Sequence, residues 1–213
     1  VPRIDGDTIK EMKDYRLHSA KIIGDRGICV PWGWAGVYNQ ASLYRDVQEL
    51  LVDPYIDNDF YKAYMELLTE LMMEYNSQLA ALQFDAIGIQ GNIANSGMVG
   101  AEFFNEHILP FESKLVSGIK EYDVPTVYHN CGKAKILQKS YVDMGITAWE
   151  TVAAEPQGDN SLKEAKENVG DKLVLIGNID QVSFLKTADK NQIKSAVEEM
   201  ISIGKPGGKY IFA

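Results

Sequence analysis

The sequence predicts an α/β protein, a parallel (βα)8 TIM barrel of which these 213 residues form the larger part. Short apolar runs alternate with longer amphipathic segments, which is the pattern of βαβ units and a parallel sheet. Several of the runs end in polar or metal-binding side chains, and in a barrel such strand ends form one ring at the catalytic face. No G-x-G-x-x-G motif follows a strand, which disfavours the alternative of an open, doubly wound sheet.

Six apolar runs are predicted to be strands: residues 28–34, 85–90, 124–132 (a strand entering a turn), 146–152, 172–180 and 209–213. Amphipathic segments between them predict helices over about 59–83, 102–122 (broken near Pro110), 133–144, 161–169 and 189–203. The long helix carries apolar residues at spacings of three and four, and candidate caps lie before it at Asp57, Asn58 and Asp59. The last strand runs to the final residue, so we expect a fragment of the barrel that lacks its first strands and its C-terminal end.

Composition narrows the classes of function. The chain is 46% hydrophobic and 24% charged, with a net charge of −9 and no basic stripe, so nucleic acid is a poor partner. No run approaches the ~20 apolar residues of a membrane helix, and the start at Val1 lacks the pattern of a signal peptide. Two cysteines form no disulfide framework, which makes a reducing cytoplasm the expected location.

His129 and Cys131 are the strongest candidates for chemistry. They lie two residues apart at a strand end, so their side chains should point to the same side, and zinc accepts both imidazole and thiolate. Gly132 allows the backbone to turn sharply after them. The alternative is a buried cysteine beside an incidental histidine. A third ligand is required, and Glu150, which closes the next strand, is either that ligand or a residue that hydrogen-bonds or orients substrate; the ligand could also lie past Ala213.

Other strand-end residues are assigned roles around this pair. With Glu150, Asn178 is predicted to take part in catalysis. Trp34 is predicted to contact a cofactor, since aromatic side chains at the end of the first strand either pack in the core or form a wall for a flat ligand. Asn92 is predicted to contact the cofactor from a polar loop that could equally be a connection. Three further residues are predicted to be structural or at the surface: His18, Cys29 and His107.

An ordered set of segments resembles the uroporphyrinogen decarboxylase-like superfamily over most of the chain. The segments are Tyr44–Asp46 with Pro54, Ala101–Phe104 with Ile108–Pro110, His129–Gly132, Gly170–Asp180 and Gly207–Ile211. The resemblance implies that two barrel strands lie before residue 1. Two branches of the superfamily then differ in their chemistry.

The corrinoid-dependent methyltransferases bind zinc through His-x-Cys and a later ligand, and His129 and Cys131 match that pair. This branch implies zinc, a corrinoid (cobalamin) on a partner protein, and a thiol, folate or methylated compound as substrate. A metal ion would make a substrate thiol, with its ordinary pKa near about 8.5, a nucleophilic thiolate. The alternative branch, metal-free uroporphyrinogen decarboxylase, uses an N-terminal arginine-rich motif that is absent here. The sequence contains only four arginines, Arg3, Arg16, Arg26 and Arg45. A third possibility is a non-catalytic barrel that serves as a binding subunit.

Overall fold

The structure is a computed structural model that describes residues 5–213, so residues 1–4, with the Arg3 noted above, lie outside the described residues. It contains six parallel strands in one sheet. The strands are β1 Trp32–Ala35, β2 Ile87–Gln90, β3 Thr126–His129, β4 Ala148–Glu150, β5 Val174–Ile176 and β6 Tyr210–Ile211. All six fall within or beside the predicted runs, but each is shorter, because the ends of the runs form turns and loops instead of paired backbone.

Helices connect the strands. They are α1 Gly6–Ile23, α2 Val37–Ala41, α3 Val47–Ile56, α4 Asn58–Ala80, α5 Ala101–Phe103, α6 Leu109–Lys120, α7 Gln138–Met144, α8 Leu162–Val169, α9 Phe184–Thr187 and α10 Lys190–Gly204. A π-helical turn, Phe104–Ile108, joins α5 to α6. The predicted helices are present, and four further helices, α1, α2, α3 and α9, lie outside the predicted ranges. No helix in the described ranges combines the length and the apolar character that crossing a membrane requires.

The strand order decides between the two architectures that the sequence allows. The order is β1-β2-β3-β4-β5-β6, and each neighbouring pair is parallel. A doubly wound sheet reverses its order at a switch point, whereas a barrel adds each strand beside the one before it. The consecutive order therefore confirms the predicted barrel architecture for these six strands.

The two faces of the sheet carry different apolar clusters. The outer face meets the helices in one large core, in which Ile87, Ile89, Tyr128, Trp149 and Leu175 are buried. The inner face carries a small separate cluster built on Ala86, Val127 and Ala148. Because side chains alternate across a strand, this division means that one set of positions faces the helices and the other set faces the interior of the barrel.

Local signals set the helix boundaries. Of the three predicted cap candidates, Asp57 is the one that begins α4, and it accepts a hydrogen bond from the backbone N–H of Phe60 at 3.0 Å. The helical stretch predicted to be broken near Pro110 is irregular just before that residue. Pro110 lies in the first turn of α6, where a proline costs no intrahelical hydrogen bond, and the irregularity is the π-helical turn just before it.

The Tyr44–Asp46 segment has a structural explanation. Arg45 pairs with the buried carboxylate of Asp53 through two hydrogen bonds, Nε to Oδ2 at 2.5 Å and Nη2 to Oδ1 at 2.8 Å. Asp46 accepts from the backbone N–H of Gln48 at 2.8 Å and begins α3. These contacts tie the residues before α3 to the helix itself.

Candidate active site

The carboxyl ends of β3, β4 and β5 surround a pocket of about 360 Å³. His129 ends β3 and Cys131 follows it by two residues, and both side chains line this pocket. Glu150 and Asn178 also line it, so the structure brings four of the six predicted site residues together. The remaining lining residues are Thr151, Ala153, Ala154, Gln157, Gly177, Ile179, Asp180, Gln181, Val182 and Ala213.

The imidazole of His129 is held by the carboxylate of Glu150. The two residues are register partners on β3 and β4, and Nδ1 of His129 lies 3.2 Å from Oε2 of Glu150. A carboxylate only accepts hydrogen bonds, so this contact favours the neutral tautomer with its proton on Nδ1, in which Nε2 keeps its lone pair. A histidine that binds a metal through Nε2 commonly makes this kind of contact with its other nitrogen. Of the roles that the sequence left open, this geometry favours an orienting role for Glu150.

Asn130 braces the turn between His129 and Cys131, and it was not singled out from the sequence. Its backbone N–H donates to the Glu150 carbonyl at 2.6 Å. Its side chain, fully buried, accepts from the N–H of Gly132 at 3.0 Å and donates to the hydroxyl of Tyr141 at 2.7 Å. Because side chains alternate along a strand, the residue between His129 and Cys131 points to the opposite face, away from the pocket. A polar asparagine at that position is the sequence signal that could have identified its role.

Trp32, and not Trp34, lies beside His129. The ring centroids of Trp32 and His129 are 5.6 Å apart and the rings are nearly perpendicular. Gly88 on β2 makes room for this indole, because a Cβ atom there would lie 2.3 Å from Cε3 of Trp32. Trp34 packs against Tyr75 of α4, with 5.5 Å between centroids. The register between β1 and β2 is irregular from Trp32 to Ala35, which accounts for the different directions of the two indoles.

Asn178 enters the pocket on the loop after β5. Its Nδ2 donates to the carbonyl of Val152 at 3.1 Å, which ties the ends of β4 and β5 together. Gly177 precedes it with φ of +141°, and a Cβ atom there would lie 1.9 Å from the carbonyl oxygen of Thr151. The close approach of these two loops therefore requires glycine at this position.

Asp180 is a second carboxylate in the pocket wall. It accepts from the backbone N–H groups of Val182, Ser183 and Phe184 at 2.9 to 3.0 Å. The hydrogen bond from the Ser183 N–H, assisted by the others, holds the pKa of Asp180 below its ordinary value. This carboxylate is charged and its position is fixed by the backbone.

Asn92 is not brought to the pocket. It begins a 3-10 turn after β2, Asn92–Ala94, and its carbonyl accepts from Nδ2 of Asn95 at 2.7 Å. Its own side-chain Oδ1 is buried and has no hydrogen-bond partner among the described residues. The two remaining histidines behave as the sequence predicts: His18 is exposed on α1, and His107 is buried in the π-helical turn.

The donor set fits part of a zinc site. An imidazole nitrogen freed by its Glu150 partner and an exposed thiol face the same pocket, and zinc accepts both kinds of ligand. Within residues 5–213 no group of three His, Cys, Asp or Glu side chains is arranged to hold a metal ion. His129 and Cys131 therefore supply two ligands, and a complete site needs one more.

Comparisons with known proteins agree with the architecture. A family model described as Uroporphyrinogen decarboxylase (URO-D) matches residues 21–213. A solved structure, a methyltransferase from Methanosarcina mazei, superposes with a TM-score of 0.79 at 18% identity, covering 98% of this chain and 60% of that one. That likeness establishes the fold.

Curated relatives carry two different activities. A Methylcobamide:CoM methyltransferase, MtbA of Methanosarcina acetivorans, is 27% identical over 146 residues, which cover 67% of this chain and 40% of that protein. The Uroporphyrinogen decarboxylase of Geobacter sulfurreducens is 25% identical over 207 residues, 94% of this chain and 56% of that protein. The chain thus spans about half the length of the curated relatives it matches.

Proposed function

The chain belongs to the uroporphyrinogen decarboxylase (URO-D) family, and from that membership we propose that the protein is a zinc-dependent methyltransferase working with a corrinoid protein. It would move a methyl group between the corrinoid and a small thiol, folate or methylated compound. One observation carries the proposal: His129 and Cys131 open onto the same pocket, with Glu150 on the far nitrogen of the histidine. Relatives named as methyltransferases support it.

The residues of the chain have separate roles in this proposal. His129 through Nε2 and Cys131 through Sγ would hold zinc, and the third ligand would come from outside residues 5–213. When bound, zinc supplies Lewis acidity that makes a substrate thiol a nucleophile or makes a methylated heteroatom a better leaving group. Glu150 keeps the imidazole in the tautomer and orientation that metal binding needs. Asn178 and Gln157 offer amide groups to orient the substrate in the pocket.

A metal-free decarboxylase is the competing function within the family. Relatives at similar identity are named Uroporphyrinogen decarboxylase. A substrate with many carboxylates is recognised by cationic side chains, and no lysine or arginine lines the described pocket. This absence favours the methyltransferase proposal.

Replacing each cysteine in turn tests the proposal. Cys131→Ala should abolish stoichiometric zinc binding and methyl transfer from methylcobalamin or a methylated corrinoid protein, because a catalytic zinc held by three protein residues loses one of them. Cys29→Ala is the matched control, since Cys29 lies outside the pocket, half-buried against the core. It should keep both properties. Zinc-free wild-type protein that converts uroporphyrinogen and demethylates no corrinoid would assign the chain to the decarboxylase branch.

A further inference from the structure

The backbone that follows Cys131 is held by a side chain from another loop. One carboxylate oxygen of Asp159, Oδ1, accepts the backbone N–H of Ala134 at 2.8 Å and that of Lys135 at 3.0 Å. Asp159 lies in the loop between β4 and α8. Its carboxylate thus satisfies backbone N–H groups at the start of the 3-10 turn Lys135–Leu137, which leads directly into α7.

Only two residues separate Cys131 from this anchor. The N–H of Gly132 is bound within the turn, and the carbonyl of Lys133 accepts from the backbone N–H of Ser96 at 2.7 Å. The chain from Cys131 to Ala134 can span at most about 11 Å, because consecutive Cα atoms lie about 3.8 Å apart. A shift of Ala134 therefore reaches the backbone of Cys131 with little slack to absorb it.

Asp159 is itself fixed, because its loop is hydrogen-bonded to itself on both sides of this residue. The N–H of Gly158 donates to the carbonyl of Ala154 at 2.8 Å, and the N–H of Asn160 donates to the carbonyl of Ala153 at 3.0 Å. The buried side chain of Asn160 also donates to the Ala153 carbonyl at 3.3 Å. The carboxylate of Asp159 is therefore presented from a loop that does not need α7 to keep its shape.

The two sides of this loop have different contacts. Ala153, Ala154 and Gln157 line the pocket that His129 and Cys131 also line. Asp159, two residues after Gln157, turns to the backbone that follows Cys131 and is not among the lining residues. One loop thus contributes to the pocket wall and holds the segment that carries one of the candidate ligands.

We infer that Asp159 is a positioning residue of this site: through Ala134 and Lys135 it fixes the turn on which the Cys131 thiol faces the pocket. Its effect on a ligand in the pocket acts through Cys131, since the carboxylate does not reach the pocket itself. Groups that orient a metal ligand from behind commonly change metal affinity by about 10–100-fold. The inference rests on the proposed function for its chemical meaning, because it concerns a metal ligand of the same site.

Asp159→Ala removes the anchor, and Asp189→Ala is the matched control. Oδ1 of Asp189 accepts the backbone N–H groups of Asn191 and Gln192 at 2.8 and 3.0 Å at the start of α10, outside the pocket lining. Each substitution removes a carboxylate that holds two backbone N–H groups, so each should lower the melting temperature by about 2–4 °C. Asp159→Ala alone should weaken zinc binding to the intact protein, by about tenfold.

Cobalt(II) in place of zinc reports on Cys131 directly, because a thiolate bound to cobalt gives a charge-transfer absorption. We expect Asp159→Ala to need about tenfold more cobalt than the wild type to reach half of this absorption. Asp159→Asn keeps an oxygen that accepts a hydrogen bond, so it should lie between the two, and it replaces the alanine variant if that protein does not fold. Equal cobalt titrations of the Asp159 variants and Asp189→Ala would overturn the inference.

Amide hydrogen exchange of the metal-free protein separates this inference from the proposed function. Asp159→Ala should raise exchange over residues 130–137 well beyond the rise elsewhere in the chain, and Asp189→Ala should not. A wild-type protein that binds neither zinc nor cobalt contradicts the proposed function, and the local rise in exchange then still supports the inference. Exchange over residues 130–137 that is equal in the two variants overturns the inference. Methyl transfer by the wild type, with equal metal affinity in the two variants, overturns the inference alone.

Discussion

Asn130 donates its side-chain amide to the hydroxyl of Tyr141 at 2.7 Å, in the buried layer directly behind the His129–Cys131 turn. The same amide group accepts the N–H of Gly132 through its oxygen. The residue between the two candidate ligands thus fixes the path of the backbone on which both are carried. Its removal should affect stability and metal affinity together.

We expect Asn130→Ala to cost about 2–4 kcal/mol, because it leaves the buried Tyr141 hydroxyl and the partly buried Gly132 N–H without this partner. Zinc affinity should fall by about 10–100-fold, the usual effect of losing a group that orients a ligand. Tyr141→Phe is the matched control: it removes one bond but keeps the Gly132 contact, so it should cost about 1 kcal/mol. Denaturant unfolding and zinc titration measure these effects. If the two variants lost equal stability and equal zinc affinity, the hydrogen bond from Gly132 to Asn130 would not be what fixes the turn.

Glu150→Gln tests the role of the second carboxylate. If Glu150 orients His129, the amide retains an oxygen that accepts from Nδ1, and zinc affinity should fall by about 10–100-fold without being lost. Cys131→Ala, which removes a ligand outright, should be far more severe. Zinc titration of the two variants side by side decides between the roles. A Glu150→Gln protein as deficient as Cys131→Ala would identify Glu150 as a ligand.

Gly88→Ala should displace the indole of Trp32 from His129. The added Cβ would overlap the ring, so we expect a loss of about 1–3 kcal/mol, as in other overpacked sites. In a Trp32→Ala background the same change should cost much less, because the overlapping atoms are gone. Chemical unfolding of the four proteins forms a double-mutant cycle. If Gly88→Ala cost as much without the indole, the clash would not be its cause.

Glu112 gives the stability of the protein a pH dependence. It is fully buried under the first turn of α2, and burial raises its pKa from 4.5 to about 7, although the N–H of Tyr38 donates to it. The folded state therefore favours the protonated form. Stability should fall as the pH rises from about 4.5 to 7, by about 3 kcal/mol in total, and stay lower above that window.

Glu112→Gln should remove this dependence and raise stability at pH 8, because the amide is neutral at every pH. The free energy of unfolding is measured against pH for the wild type and the variant, and the difference isolates the contribution of Glu112. Glu70→Gln, at an exposed site in the middle of α4, is the control and should change the profile little. A wild-type profile parallel to that of Glu112→Gln would contradict the prediction.

The fold was predictable because its signals are local. The strand runs, the cap at Asp57 and the two-residue spacing of His129 and Cys131 depend on neighbouring residues in the chain. Pro110 indicated where the helix becomes irregular, but the form of the irregularity was not predictable, since a π-helical turn has no comparable sequence signature. Likewise the ion pair between Arg45, just before α3, and Asp53 within it joins residues eight apart, which no periodicity reveals.

Contacts between strands account for what the sequence did not show of the site. The contact of Glu150 with His129 depends on the register of β3 against β4, and a one-residue slip would send the carboxylate to the opposite face. Trp34 was predicted to contact the cofactor, but Trp32 is the indole that lies beside His129. This difference comes from the irregular register of β1 against β2. The register between two strands is set by the packing of the whole sheet, so the sequence of one strand does not predict it.

The consecutive strand order also bears on how the chain acquires its structure. Each strand pairs with the strand that precedes it, so every new βα unit docks on an edge that has already been synthesised. No strand waits for a distant partner to be inserted between two earlier ones, and the loops to be closed stay moderate in length. The order of folding can therefore follow the order of translation, with β3 completing the His129–Cys131 turn before the strand that carries Glu150 arrives to fix it.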